Sequence, residues 1–246
     1  MSIFESNWNT SSQVFELARS HVDLWRLQLN PPERYCGLLR QVLNADEIAR
    51  ADRFHFDRDR RRFIAARAQL RMILGRYLVR DPQAITFSYG PRSKPHIAES
   101  VGFNLSHSDD LAVVTVAHAR SVGVDIEAIR TMKERDRIAG RFFSARENAA
   151  LLSIPDSERT EAFFRCWTLK EAYVKATGDG LAQPTESFDV TFGRGEQTKL
   201  LRVDGKPEEA SRWKLIEFSP APNFVGALAV EGHDWELRRF EYELDP

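Results

Sequence analysis

Two stretches of about twenty residues carry apolar side chains at helical spacing, and each is followed by short strand-like runs. That order constrains the fold more than any other feature. From Asp59 to Leu78 the residues Phe63, Ala66, Leu70, Ile73, Leu74, Tyr77 and Leu78 recur at helical spacing, and Asp81-Pro82 stops the run. A second helical region is predicted over Met132 to Leu152 and then Ser157 to Ala176, closed by Gly178 and Gly180. His21 to Leu29 is rich in strand formers and ends at Pro31-Pro32. After the first helix, strand candidates lie near Ile85–Tyr89, Phe103–Leu105, Leu111–Ala117 and Gly123–Glu127. After the second they lie around Phe188–Phe192, Leu200–Val203, Trp213–Phe218, Phe224–Val230 and Trp235–Tyr242. Two similar halves of α+β type explain this order, preceded by a loosely ordered arm over residues 1–20.

The bulk numbers exclude several classes. The chain has 246 residues, 42% hydrophobic and 29% charged, the balance of an ordinary soluble globular protein. Apolar runs such as Leu111 to Ala117 fall far short of a membrane span. The first twenty residues carry Glu5 and Glu16 and lack a basic start, so no secretory signal is expected. Cys36 and Cys166 have no paired spacing, which excludes a Cys-rich zinc site and fits a reducing cytoplasm. A net charge of −1 argues against a general nucleic-acid binder.

The chemistry is carried by carboxylates. Asp125 and Glu127 alternate with Val124 and Ile126, so on a strand both acids share one face while the aliphatic pair turns to the core. Crowded carboxylates repel unless a cation lies between them, and hard oxygen ligands at this spacing suit Mg²⁺; two exposed acids at a strand end are the bland alternative. Glu171 falls inside the apolar stripe of its helix, beside Trp167 and Phe164. A carboxylate there must be paired, metal-bound or neutral, and Lys175 follows one turn on. Ser144 and Glu147 have the spacing of a capping box. Arg67 also lies inside an apolar stripe and needs an anionic partner, an internal acid ahead of a phosphate. Ser106-His107-Ser108 ends a short strand and could hold a phosphate or form a turn.

Four blocks in order resemble the phosphopantetheinyl transferase superfamily, in its two-lobed monomeric form. They are Ser93-Lys94-Pro95; Phe103 to Ser108; Gly123-Val124-Asp125-Ile126-Glu127; and Trp167 to Ala176 followed by Gly178-Asp179-Gly180-Leu181. Phe142-Phe143-Ser144 with Glu147 matches the block between the last two, and the likeness runs from about His21 to Phe192. It implies a pseudo-twofold pair of lobes, residues 21–118 and 119–246, each a small, mainly antiparallel sheet packed on a long helix. It implies Asp125, Glu127 and Glu171 as ligands of Mg²⁺, with Mn²⁺ as a substitute. It implies coenzyme A as co-substrate, with Lys175 by the pyrophosphate, Ser106 and His107 at the 3′-phosphate, Asn104 beside them, and Lys94 and Arg50 reaching the cofactor. The partner implied is an acyl or peptidyl carrier protein, with no nucleic acid and no membrane, the chain acting as a cytoplasmic monomer.

The reaction implied is attack by a carrier-protein serine on the β-phosphorus of coenzyme A, with adenosine 3′,5′-bisphosphate leaving. Little covalent work falls to such an enzyme. Glu171 and Lys175 are the expected catalytic side chains, Glu171 taking the serine proton and Glu147 standing second for that role. Two rival readings remain, the first of which uses the same acids. One is another Mg²⁺-dependent phosphoryl or nucleotidyl transferase; the other is a non-catalytic module binding RNA or an acidic partner through the arginine-rich helix.

Overall fold

Strand β2 (His21–Gln28) buries both faces: Val22 and Leu24 point one way, Trp25 and Leu27 the other, all fully covered. Such a strand must be central, and it lies in a five-stranded sheet of order β1-β12-β2-β6-β5. The computed structural model from which this comes describes residues 8–10, 16–90, 94–178, 180 and 184–244. Its neighbours are β1 (Asn9–Thr10), β5 (Val101–Ser108), β6 (Leu111–His118) and β12 (Glu236–Glu241). β5, β6 and β2 pair antiparallel; β12 runs parallel to β2, and β1 parallel to β12. Helices α1 (Glu33–Gln41), α2 (Ala45–Asp52) and α3 (Asp57–Leu78) follow β2 in the chain. α3 lays Leu70, Ile73 and Leu74 on Trp25, Leu27, Val114 and Val116. Two short strands, β3 (Ser88–Tyr89) and β4 (Pro95–His96), pair beside it.

The second sheet has the order β10-β11-β7 and is antiparallel, built from β7 (Val122–Ala128), β10 (Trp213–Phe218) and β11 (Phe224–Glu231). Helices α4 (Arg135–Phe142), α5 (Ala145–Ser153) and α6 (Asp156–Thr177) come between, followed by the pair β8 (Phe188–Val190) and β9 (Leu200–Val203) and by α7 (Glu209–Arg212). Phe163, Phe164, Leu169 and Tyr173 of α6 pack on Val225, Ala227 and Ala229. A third core joins the two sheets: Val22, Leu24 and Val113 meet Val124, Ile126, Leu228 and Val230. The fold is thus α+β, with one 22-residue helix on the outer side of each main sheet. No helix of the described residues is long and apolar enough to cross a membrane.

The structure departs from the sequence expectations in four places. The last strand, which follows the second helical region in the chain, pairs with β2 in the first sheet. Phe240 stacks on Trp25 at 4.8 Å and Arg238 donates to the buried Asp23 at 2.7 Å; periodicity marks a strand but not its neighbour. The arm likewise contributes β1. The region 132–152 breaks into α4 and α5, because Phe143 is extended and Ser144 starts a new helix with a complete capping box to Glu147. The strand expected at 85–89 shrinks to two residues after a 3-10 turn at Pro82–Ala84. Arg67 finds its internal acid in Glu47 at 3.4 Å, a carboxylate shared with the fully buried Arg71 at 2.7 Å.

Candidate active site

Gly123 decides how the site is assembled. A Cβ there would stand 2.1 Å from the Ala172 carbonyl oxygen and 2.3 Å from the Ala176 nitrogen, so only glycine lets α6 settle directly on β7. Two residues further along β7, Asp125 then lies under the last turns of α6. Lys175 Nζ approaches Asp125 Oδ1 at 2.6 Å and Ser106 Oγ at 3.2 Å. As the alternation requires, Val124 and Ile126 face the core between the sheets. Asp125 is 5% exposed, and its Oδ2 is buried with no hydrogen-bond partner among the described residues.

The electrostatics follow from this crowding. Burial pushes the Asp125 carboxyl above its ordinary range and Glu127 adds to the rise, against the pull of Lys175 and Ser106. The Glu171 carboxyl is also raised, first by desolvation, then by Asp125, with Lys175 opposing and Glu127 adding. Three acids therefore feel one another across β7 and α6. Among the described residues no three acid, histidine or cysteine side chains already stand in ligating positions; Asp125 is turned to Lys175, and Glu127 to Ser108 and Arg130, each at 3.1 Å.

The Asn-Leu-Ser-His-Ser segment divides by strand alternation. Asn104 and Ser106 are buried against β7: Asn104 Oδ1 accepts from Val124 N at 2.9 Å, and Ser106 Oγ accepts from Ile126 N at 3.3 Å while donating to Asp125 Oδ1 at 2.8 Å. With Lys175 as a further donor, the Ser106 hydroxyl has its proton and both lone pairs in use. His107 projects to the other face, into a hollow of about 590 Å³ lined also by Arg50, Arg62 and Arg67. The imidazole pKa is lowered, chiefly by the protein that screens it from water, then by Lys175 and Arg62. A second hollow, again about 590 Å³, contains Glu171, Lys175, Phe142, Val174 and Pro184. The two adjoin at Pro95 and Asn104. A larger one, about 690 Å³ along β10, shares no lining residue with either.

Lys94 borders the groove but its ammonium is occupied. It donates to the carbonyls of Val122 (3.0 Å), Lys175 (2.6 Å) and Ala176 (3.3 Å), and desolvation lowers its pKa to about 8. The end of α6 has carbonyls without helical partners, and Gly178 at φ 75° turns the chain away there. Glu147 is closed off more completely. At 1% exposure its two oxygens accept from Lys170 Nζ, Ser144 N and Val190 N, which removes it as an acceptor for a substrate proton. Sequence reasoning named Ser108 only within a phosphate-or-turn segment and missed its bond to Glu127, along with the structural part played by Gly123; the two-residue repeat shared by Asn104, Ser106 and Ser108 with Asp125 and Glu127 was the available signal. Ser93, Asp179 and Leu181 of the matching blocks lie outside the described residues.

Comparison with known proteins agrees across both halves. Residues 121–229 match the 4′-phosphopantetheinyl transferase superfamily, and residues 28–119 match the 4′-phosphopantetheinyl transferase N-terminal family. The 4′-phosphopantetheinyl transferase HetI of a Nostoc species is 39% identical over 98% of this chain and 100% of its own length. The 4′-phosphopantetheinyl transferase Sfp of Bacillus subtilis is 29% identical over 82% of this chain and 88% of its own. The solved Thermotoga maritima holo-[acyl-carrier-protein] synthase aligns with 45% of this chain and 62% of that chain, at 20% identity and a TM-score of 0.36. With both halves matched and a relative aligned end to end, the chain belongs to the 4′-phosphopantetheinyl transferase superfamily.

Proposed function

We propose that the groove bounded by β5, β7 and α6 is where this 4′-phosphopantetheinyl transferase holds coenzyme A and transfers its arm. A serine hydroxyl of an acyl or peptidyl carrier protein attacks the β-phosphorus. The Oγ–P bond forms as the bond to the leaving phosphate oxygen breaks, and adenosine 3′,5′-bisphosphate departs. The observation that carries this reading is Asp125, paired with Lys175 and electrostatically coupled to Glu127 and Glu171, beside a hollow lined by arginine and histidine and another whose lining includes Phe142, Val174 and Pro184. The first suits phosphates, the second a largely uncharged arm.

The donor set fits a hard divalent ion: Asp125 keeps a buried oxygen without a partner among the described residues, and beyond the effect of burial Glu127 raises the pKa of Asp125 while both raise that of Glu171. Asp125, Glu127 and Glu171 would hold Mg²⁺, or Mn²⁺ in its place, and the ion would neutralise pyrophosphate charge. Lys175 supplies fixed positive charge at the same point, its Nζ held by Asp125 and Ser106. His107 and Arg50 bind the phosphate distal to the reaction. Glu171 receives the serine proton on its carboxylate, directly or through water. Both walls of the groove come from one chain, which supports a monomer, and the free thiols of Cys36 and Cys166 support a cytoplasmic setting.

The test is direct. Incubation with coenzyme A, Mg²⁺ and apo acyl or peptidyl carrier protein should add the mass of one phosphopantetheine arm to the carrier. Absence of that gain with both carrier types, under conditions where the chain is folded, would remove the reading.

A further inference from the structure

β7 ends its sheet, so the N–H groups of Val124, Ile126 and Ala128 point away from β11 with no strand to receive them. Buried amides of this kind must find acceptors. They find side chains: Asn104 Oδ1 at 2.9 Å, Ser106 Oγ at 3.3 Å and Ser108 Oγ at 3.0 Å, three successive residues on one face of β5. Each serine then has its proton free to give, and gives it to the acid that precedes the amide it receives. Ser106 donates to Asp125 Oδ1 at 2.8 Å and Ser108 to Glu127 Oε2 at 3.1 Å. One hydroxyl per acid is thus fixed at both ends, by a backbone amide and by a carboxylate, with the same two-residue repeat on both strands.

We infer that this ladder sets the positions of the two carboxylates, and that Ser108 is a positioning residue for the transfer reaction, acting through Glu127. The inference rests on the metal reading proposed above. Ser106 has other duties through Lys175, whereas among the described residues the Ser108 hydroxyl bonds only to β7. Glu127 is also within 3.1 Å of Arg130, a side chain 55% exposed. Ser108 and Arg130 share one Glu127 oxygen, Oε2; without Ser108 that oxygen is left to Arg130 alone, and a cation of the protein competes with the metal. Partners that orient a ligand in this way are worth roughly 10–100-fold in metal affinity.

The experiment titrates Mn²⁺ into the full chain with coenzyme A present, following free Mn²⁺ by electron paramagnetic resonance, and measures amide exchange at Ala128 by NMR. For Ser108→Ala, Ala128 exchange should accelerate and the Mn²⁺ dissociation constant should rise about tenfold. The KM for coenzyme A should stay put, and turnover should recover at high metal. Ser108→Thr, which keeps the hydroxyl, should restore both readouts. Faster exchange with unchanged Mn²⁺ affinity would overturn the inference, leaving Ser108 a purely structural link. Wild-type protein that binds no Mn²⁺ yet transfers normally would instead remove the metal reading beneath it. Should Ser108→Ala fail to fold, Arg130→Ala is the second variant: Mn²⁺ affinity should be unchanged, and a tenfold loss would show that Arg130 orients the acid, against the inference.

Discussion

Lys170 and Glu147 meet at 2.6 Å with 2% and 1% of their side chains exposed; Lys175 and Asp125, one turn further along α6, meet at the same distance with 29% and 8%. Distance alone would call these the same interaction. Their surroundings differ. Around the first pair every valence is taken: Lys170 also donates to Phe188 O at 2.8 Å, and Glu147 receives two backbone amides besides the lysine. Around the second, Asp125 keeps a buried oxygen without a partner among the described residues, and burial and then Glu127 oppose its ionisation. A closed pair specifies a fold, because nothing further can bind to it; an open pair beside a groove is poised to accept a ligand.

The comparison can be broken by mutation. The largest effect is expected from Asp125→Ala, which should lower transfer by at least about 10³-fold by removing a metal ligand. Lys175 can rehydrate, so stability should fall by no more than about 1 kcal/mol; retention of near-normal turnover would show that the open pair is not the active one. Glu147→Gln should do the reverse. It leaves Lys170 buried without its counter-charge and should cost about 3–5 kcal/mol in denaturant unfolding, with the remaining folded protein still turning over. A loss below about 1 kcal/mol would mean that the first pair is less sealed than its exposure implies.

The smallest effect sharpens the contrast by examining an imidazole whose pKa is lowered by burial, Lys175 and Arg62 against the pull of Glu127. The His107 pKa lies below the ordinary value, so the ring is mostly neutral at pH 7 in the free protein. A phosphate favours the protonated ring. Lowering the pH through this range should therefore tighten coenzyme A, and raising it should weaken binding. In His107→Asn the KM should be about tenfold higher than wild type at the acid end, converge with it at the alkaline end, and leave kcat little changed. A mutant whose KM follows pH as the wild type does would discharge His107 from the phosphate.

Much of the secondary structure was legible because period is local. The heptad-like recurrence from Phe63 to Leu78 and the alternation in Gly123 to Glu127 needed no knowledge of neighbours. Glu147 was readable as a cap from Ser144 three residues earlier, but not as the partner of Lys170, which requires α5 and α6 to be side by side. The pairing of β12 with β2 was illegible for a similar reason: a strand pattern states which residues face inward, not which strand receives them. The resemblance assigns Ser106 and His107, adjacent in sequence, to one phosphate; strand alternation, itself legible in the sequence, puts the first against β7 and the second in the basic hollow.

What the amino-acid order determined by itself is which side chains share a face and where helices begin and end, since both depend on residues within a few positions of each other. The tertiary structure decided which acids became neighbours. Asp125 and Glu127 could be paired by spacing, but Glu171 and Lys175 reach them because Gly123 leaves room for the α6 backbone, and a contact of that kind is set by excluded volume between segments some fifty residues apart.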